Sequence, residues 1–470
     1  MSLRALQIVR SGLLAHQGAI DITSGNVANV NTPGYTRRRP HLSTFVPEPG
    51  HTGSGVQIST LVEFRNRYLD AQIRGVLTRQ LGRQTDELLL QRLMALFGDS
   101  TEGGVSALFQ RFFDAVQQVV LQPEDVALRE LVLQRADQLA STFRRLGADI
   151  EAVRSELLGQ AQQRVGELNR LLHRVAHLNA QRALVPEGSE AAIALADEQT
   201  RLVEQIARLI PVTATVDARG MINLAVAGHM LVSGVAVLSL QLRTLTTAAG
   251  EHHAQLWLHS PAGEAETELS LDDGELGRLL EHYNVTLDPQ ERSAAFSLPR
   301  QLDRFVAQWV ERVNGIFSGG YGLDDGAAPP PGRRFFEGTR AATLRLSADV
   351  AARPRALPLS DKPGEPGNAV IAQRLLALAE LPIFGDGQTP QGFIAGVMSC
   401  LGELLSAAQQ QREWLQASFQ QLQAQRQMLS GVNLDEEAAN LVRYQKAYEA
   451  VARVGTVAAS LLETLIRMGT

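Results

Sequence analysis

The chain has 470 residues, of which 44% are hydrophobic, and this proportion excludes an intrinsically disordered protein. Its 44 basic and 50 acidic residues give a net charge of −6, which argues against a nucleic-acid-binding protein. A single cysteine, Cys400, excludes both an intramolecular disulfide and a zinc site built on cysteines.

The first predicted element is an N-terminal helix that carries one narrow apolar stripe. Over residues 6–30, apolar side chains recur at alternating steps of three and four, with His16 and Thr23 as polar interruptions. The last element, over residues 441–465, repeats this spacing with a gap at Gly455. Because each stripe needs a partner helix, we predict that the two ends pair as a coiled coil. The predicted seam consists of Leu6, Val9, Leu13, Ile20, Val27, Leu441, Tyr444, Tyr448, Val451, Ala458, Leu462 and Leu465.

The elements between the two ends are mostly helical. Composition and periodicity predict helices over residues 65–97, 105–121, 125–184, 189–209, 293–317, 369–378 and 391–429. After Pro211, β-branched and alternating segments predict a small meander of strands over residues 212–259. We therefore expect a mainly α fold with a β-rich insertion, in an elongated, nested multidomain arrangement. In this arrangement the middle domain is a helical bundle and the β domain faces solvent.

These elements divide the chain into five predicted segments. They are an N-terminal helix with its following loop (1–64), the first part of a helical middle domain (65–210), a β-rich insertion with a returning helix (211–365), the second part of the middle domain (366–430) and a C-terminal helix (431–470). The middle domain can form one unit only if its two parts meet in space, which makes the insertion a protrusion.

The sequence contains no combination of residues that predicts catalysis. His173 and His177 have the spacing of two zinc ligands on one face of a helix, but Arg174 occupies the position of the general-base glutamate of a metalloprotease. We predict a protein that is not an enzyme and that needs no cofactor or metal. A metal-dependent hydrolase using His173 and His177 is the distant alternative.

Two segments are rich in capping and turn residues. Residues 24–37 close the first helix with several asparagines and a Pro-Gly turn, and residues 430–437 end one helix and begin another with acidic side chains in the first turn. We interpret the second segment as a rigid joint, with Asn433 or Asp435 as the N-cap. The candidate residues of these signature loops are Asn26, Asn29, Asn31, Pro33, Gly34, Tyr35, Ser430, Gly431, Asn433, Asp435 and Glu436.

The two segments also resemble known signatures. The spacing Asn26-x-x-Asn29-x-Asn31-Thr32-x-Gly34-Tyr35 resembles the N-terminal signature of the axial proteins of the bacterial flagellum, which are the rod, hook and hook-associated proteins. Residues 430–437, with the following residues 440–448, resemble the C-terminal signature of the FlgK family of hook-associated proteins. The likeness is specific at the two ends and extends to the layout of the middle of the chain.

The resemblance implies a structural protein that joins the flagellar hook to the filament and assembles as an extracellular ring through its terminal helices. The implied partners are further copies of the chain, the hook protein below, the next hook-associated junction protein above, and a cytoplasmic export chaperone on the C-terminal helix. The alternative is another axial protein, of the hook or the rod, although the long helices argue against it.

The expected location follows from the same resemblance. Axial proteins are exported by the flagellar type III apparatus without a cleaved signal peptide, and the sequence shows no secretory signal pattern. It also has no uninterrupted run of about 18 apolar residues, so we expect no membrane insertion. The negative net charge leads us to expect no nucleic-acid partner.

Overall fold

The computed structural model describes residues 2–32, 35–45, 55–98, 104–246, 252–259, 266–290, 295–326, 329–384 and 387–469. The helices are α1 (Ser2–Ala28), α2 (Arg67–Phe97), α3 (Val105–Leu121), α4 (Val126–Arg182), α5 (Glu190–Leu209), α6 (Gly274–Glu281), α7 (Leu298–Phe317), α8 (Val370–Ala377), α9 (Pro390–Ser430) and α10 (Leu434–Gly469). The strands are β1 (Arg38–Thr44), β2 (Val56–Glu63), β3 (Thr213–Val216), β4 (Ile222–Val226), β5 (His229–Ser233), β6 (Ala236–Val237), β7 (Ser239–Thr246), β8 (His252–His259), β9 (Thr267–Leu269), β10 (Phe336–Glu337) and β11 (Arg345–Leu346). The mainly helical fold with smaller sheets that the sequence predicted is confirmed.

The strands form small antiparallel sheets. Within the described residues, β3 to β6 form a four-stranded meander and β7 to β9 a three-stranded one, while β1 pairs with β2 and β10 with β11. The β1–β2 hairpin lies against α1, where the Val56 amide donates to Ser11 Oγ at 3.2 Å. The sequence predicted the larger meander but not this hairpin, which lies in the segment predicted as an N-terminal helix with its following loop (1–64).

Residues 221–232, one segment of the predicted meander, form two strands in the structure. The chain turns at Ala227 and Gly228, between β4 and β5. Ala227 takes the left-handed conformation with φ of 45°, a conformation that alanine rarely adopts. Gly228 is a turn-forming residue, but Ala227 is not, so the pair lacks the Asn-Gly or Asp-Gly pattern that identifies a two-residue hairpin turn.

The two helical parts of the middle of the chain lie side by side. Helix α9 runs antiparallel to α2, with Arg412 Nε 2.5 Å from Glu87 Oε2 and Arg426 Nη1 3.8 Å from Asp70 Oδ1. The stretch 390–464, which covers α9 and most of α10, contains a segment that is long and apolar enough to cross a membrane. Helices that pack on other helices are often as long and as apolar, so length and composition alone do not identify a membrane span.

An aromatic cluster joins α3, α4 and α7. The Phe109 ring lies edge-on to the rings of Phe143, Phe305 and Trp309, with centroid distances between 5.5 and 6.0 Å. All four side chains are almost completely buried. Helix α7, which the sequence placed within segment 211–365, thus packs its aromatic face into the helical core.

Asparagine side chains attach strands to the helices and, at Asn284, to the π-helical turn His282–Thr286 that follows α6. In each of four cases the amide accepts from the backbone N–H of one strand residue and donates to the C=O of the same residue, as a neighbouring strand would. These pairs have donor–acceptor distances of 2.8–3.0 Å and join Asn169 to Leu240, Asn179 to Ile222, Asn284 to Ala254, and Asn314 to Phe336.

Candidate assembly interface

Helices α1 and α10 pack antiparallel along the two stripes that the sequence indicated. Three seam residues are buried, namely Val9, Tyr444 and Ala458. Six more are half-buried, namely Leu6, Leu13, Ile20, Leu441, Val451 and Leu462. Val27 and Tyr448 are more exposed, at 38% and 36%. The side chain of Leu465 lies outside the described residues.

Two glycines allow the helices to approach closely. A Cβ atom added at Gly12 would lie 3.1 Å from Val451 Cγ1, and one added at Gly455 would lie 2.9 Å from Val9 Cγ1. Both distances are shorter than ordinary van der Waals contact. The small size of Gly455 suggested a gap in the seam. In the structure this gap is filled, because the Val9 side chain of the facing helix packs against Gly455.

The polar interruptions of the α1 stripe are accommodated in two ways. Thr23 is 2% exposed, and its hydroxyl donates to the Ala19 carbonyl of the same helix at 2.8 Å. His16 is half-buried, and this burial lowers its pKa because it disfavours the charged imidazolium. Threonine is uncharged, and the lowered pKa favours the neutral form of His16, so neither side chain places a charge in the helix pair at neutral pH.

Asn26 is the centre of a polar network where the two terminal segments meet. Its Nδ2 donates to the Arg38 carbonyl at 2.8 Å and to Glu437 Oε2 at 3.0 Å. Its Oδ1 accepts from the Arg38 amide at 3.1 Å and from the Tyr35 hydroxyl at 2.9 Å. The side chain is 1% exposed, and these bonds use both of its donors and both of its acceptor positions.

Arg37 connects the N-terminal loop to the start of α10. Its Nε donates to Glu437 Oε1 at 2.7 Å, and its Nη1 donates to Glu436 Oε2 at 2.8 Å. The hydrogen bond from Arg37 lowers the pKa of Glu436 below its ordinary value. The Arg37 amide also donates to the Ser430 carbonyl at 3.1 Å, so this one residue contacts the end of α9 and the beginning of α10.

Asp197, on α5, extends the network into the helical core. Its carboxylate accepts from Thr36 Oγ1 at 3.1 Å and from Arg38 Nη2 at 3.2 Å. Burial raises the pKa of Asp197, and the charges of Arg65 and Arg38 act against this rise. The terminal helices are therefore attached to the rest of the chain by directional polar contacts.

At the joint between α9 and α10, one helix ends at Ser430 and the next begins at Leu434. Asn433 is the N-cap of α10, because its Oδ1 accepts from the Asp435 amide at 3.0 Å and from the Glu436 amide at 3.4 Å. Gly431 lies so close to the Gln427 carbonyl oxygen that a Cβ atom there would collide with it. Asn433 rather than Asp435 is thus the cap, and a side chain at 431 would disturb the joint.

The other N-terminal signature residues have simpler roles. Asn29 Nδ2 donates to the Gly25 carbonyl at 2.9 Å, and Asn29 Oδ1 accepts from the Thr32 hydroxyl at 3.1 Å, so Asn29 satisfies the end of α1. Asn31 is exposed. Pro33 and Gly34, where the sequence predicts a turn, lie outside the described residues.

Sequence reasoning did not select several members of this network. They are Thr36, Arg37, Arg38, Asp197 and Glu437, and three of them, Thr36, Arg37 and Glu437, stand inside the signature segments. The run of basic residues 37–39, which follows the asparagine-rich signature, was the available signal, since the acidic run 435–437 offers it partners of opposite charge.

The two histidines of the hydrolase alternative are exposed on α4. His177 Nε2 lies 3.3 Å from the Gln181 side-chain nitrogen. Among the described residues, no group of three histidine, cysteine, aspartate or glutamate side chains is arranged to hold a metal ion.

Comparisons with known protein families agree with this geometry. Residues 6–36 match the family model described as flagella basal body rod protein, and residues 423–468 match that of the C-terminal part of flagellar basal body rod FlgEFG proteins. These two ends define the class as flagellar axial proteins. Residues 90–336, more than half of the chain, match the model of the helical domain of flagellar hook-associated protein FlgK. The chain therefore belongs to the FlgK family of hook-associated proteins, a family of structural flagellar proteins.

Individual relatives cover nearly the whole chain. The flagellar hook-associated protein 1 of Bacillus subtilis is 23% identical over 98% of this chain and 97% of its own length. The protein of the same name from Salmonella typhimurium is 24% identical over 97% of this chain and 98% of its own length. The solved structure of the flagellar hook junction protein FlgK from Burkholderia pseudomallei superposes with a TM-score of 0.64 at 14% identity, covering 77% of this chain and all of that one. This last likeness supports the fold.

Proposed function

We propose that this chain is a junction protein that connects the flagellar hook to the filament and assembles as an extracellular ring through its terminal helices. The observation that carries the proposal is that α10, while paired with α1, leaves a second apolar stripe exposed. Val454, Val457 and Leu461 are 59%, 59% and 60% exposed. Their spacing of three and four residues places them on one face of the helix. An exposed apolar face of this kind is typical of a surface that packs against another protein.

The family relationship supports the rest of the proposal. The Burkholderia protein is described as a hook junction protein, and its fold is similar to this one. We therefore propose the hook protein and the next hook-associated protein as axial partners, with an export chaperone on the C-terminal helix. We also propose export without a cleaved signal peptide.

The arrangement of the helices supports the five-segment, nested organisation. Helix α9 lies against α2, so the two parts of the proposed middle domain (65–210 and 366–430) meet in space. Helices α1 and α10 close the arrangement as the proposed coiled coil, and the β-rich segment 211–365 is inserted between the two helical parts.

A deletion strain of the source bacterium tests the function. Deletion should leave hooks without filaments, and the wild-type gene should restore filaments. Leu462→Asp should fail to restore them while the protein is still secreted, because a charge would enter the half-buried seam. Thr456→Asp, an exposed change on α10 away from both the seam and the exposed apolar stripe, is the matched control and should restore filaments. Filaments on the deletion strain would overturn the proposed function, and normal filaments with Leu462→Asp would overturn assembly through the seam.

A further inference from the structure

A groove beside the helix pair has an apolar floor. It encloses about 570 Å³ between α1, α10 and the β1–β2 hairpin, and Leu42, Val62, Phe64 and Ala447 line its floor. Val62 and Phe64 are 45% and 37% exposed. Exposed apolar side chains that line one concave surface are typical of a site that receives another apolar surface.

The rim of this groove is basic. Arg39 and Arg443 supply its positive charge, and His16 and His41 also line it; among the described lining residues there is no carboxylate. The Arg443 guanidinium lies over the Tyr444 ring at 5.0 Å from its centroid, which holds it at the edge of the groove. The groove therefore fits a partner surface that combines apolar side chains with a carboxylate.

The same chain carries a surface with this chemistry, which we call the outer patch. It consists of Met428 and Leu429 at the end of α9 and Leu434, Asp435 and Val442 on α10. The four apolar side chains are between 50% and 83% exposed. Asp435 is exposed as well, and among the described residues its carboxylate forms no ion pair, whereas the carboxylate of the neighbouring Glu436 is bonded to Arg37.

The outer patch and the groove lie on different faces of α10. Val442 belongs to the patch and Tyr444 to the groove, and two residues correspond to a rotation of about 200° around a helix. A subunit cannot bring both surfaces onto each other by itself, but it can offer one to each of two neighbours. Contacts between unlike surfaces are head-to-tail, and they close into rings or continue as helices.

We infer that the groove of one subunit receives the outer patch of a second copy of this chain, with Asp435 of one subunit facing the basic rim of the other. This inference rests on the proposed function, because it names the contact through which the proposed ring forms. It identifies the acidic side of the contact as Asp435 and the basic side as Arg443 with Arg39.

Exchange of the two charges in the deletion strain tests the electrostatic part. Arg443→Glu and Asp435→Arg should each reduce the number of filaments per cell at least tenfold, because each places like charges in contact. The double variant should restore filaments, since the opposite charges then face each other in reversed order. Arg467→Glu, an exposed change on α10 outside both the groove lining and the stripe of Val454, Val457 and Leu461, is the matched control and should keep filaments. Failure of the double variant to restore them would overturn the inference.

Disulfide cross-linking in isolated flagella tests the geometry. In a Cys400→Ser background, Val62→Cys and Leu429→Cys in the same chain should give a ladder of cross-linked multimers on oxidation. Each single variant should stay monomeric, and a strain expressing both single variants should give dimers. Dimers from Leu429→Cys alone would indicate a symmetric contact and would overturn the inference.

An error in the groove contact and an error in the proposed function give different experimental results. If an immunoblot finds the double-cysteine protein in the flagella but no ladder forms, the groove contact is wrong and the proposed function stands. If the wild-type protein is absent from isolated flagella, the proposed function itself is wrong.

Discussion

Glu437 holds the terminal network together, and its replacement by alanine tests that role. Its side chain is 3% exposed and accepts hydrogen bonds from Arg37 Nε at 2.7 Å and from Asn26 Nδ2 at 3.0 Å. Glu437→Ala removes this acceptor from a guanidinium that is only 13% exposed and from a buried amide. Glu436 still accepts from Arg37 Nη1, so part of the charge compensation remains.

This partial compensation determines how much stability Glu437→Ala should remove. Removing one partner of a buried ion pair costs about 3–5 kcal/mol, and the remaining contact places the expected cost at about 3 kcal/mol. This value corresponds to about a 100-fold larger equilibrium constant for local opening, since about 1.4 kcal/mol is a factor of ten. Hydrogen exchange of the soluble chain, followed by mass spectrometry, should show faster exchange by up to this factor over residues 434–448 and 20–30. Exchange in α4 should not change.

Glu436→Ala is the matched control for this experiment. It removes the neighbouring carboxylate, which bonds the same arginine but has a side chain that is 53% exposed. Solvent screens this pair, so its loss should change exchange much less. Equal acceleration by both variants, or none with Glu437→Ala, would refute the conclusion that the buried carboxylate holds the two ends together.

Three further predictions concern packing, strand attachment and pH. Gly455→Val should overpack the seam against Val9 and accelerate exchange of α10 by an amount that corresponds to about 1–3 kcal/mol, and Val9→Ala in the same chain should reverse the effect. Asn179→Asp places a carboxylate against two backbone carbonyls and should lower the free energy of unfolding in urea by about 3 kcal/mol, whereas an exposed Asn31→Asp should leave it unchanged. Burial alone would raise the pKa of Asp86, but the hydrogen bond with His282 and the positive charge of Arg278 outweigh burial and lower it. Because the folded-state pKa of Asp86 lies below the ordinary value of 3.8, its stabilisation is present above about pH 4 and is lost as the pH falls through the folded pKa. Urea titrations at about pH 5 and about pH 3 should therefore show a larger fall in the free energy of unfolding for the wild type than for Asp86→Asn.

The helices were predictable because their signals are local. Helix α3 extends over Val105–Leu121 as its apolar spacing indicated, and it ends just before the predicted stop at Pro123. Helix α5 begins after Ser189, whose side chain accepts from the Ala192 amide as an N-cap. In both cases the residues that determine the boundary are neighbours in sequence.

The β1–β2 hairpin was not predictable in the same way. A register shift between His41 and Leu42 interrupts the alternation of β1, and Pro40 lies within the strand. Residues 46–54, between the two strands, include Pro47 and Pro49 rather than a short hairpin-turn sequence. Without a clean alternation or a short turn, the two segments carry no sequence pattern that identifies them as partners.

The polar network was even less predictable from the sequence than the hairpin, because its partners are distant in sequence. Thr36 and Asp197 are 161 positions apart, and Asn26 and Glu437 are 411 apart. The sequence shows that each side chain can form hydrogen bonds, but only the fold determines which groups meet. A partial signal was present in Asn169, Asn179 and Asn314, since asparagine is a poor helix former and its position inside a helix indicates a specific bond.

The seam and the network have different roles in holding the two ends together. Apolar stripes are not directional, so α1 and α10 could exchange one heptad register for another at a modest cost in packing. A shift of seven residues would move Glu437 by about 10.5 Å along the helix axis and would break its bonds to Asn26 and Arg37. The glycine contacts at Gly12 and Gly455 would be lost in the same movement. The polar network and the two glycine contacts therefore fix the register together, and this register also fixes the shape of the groove, whose lining comes from α1, α10 and the hairpin.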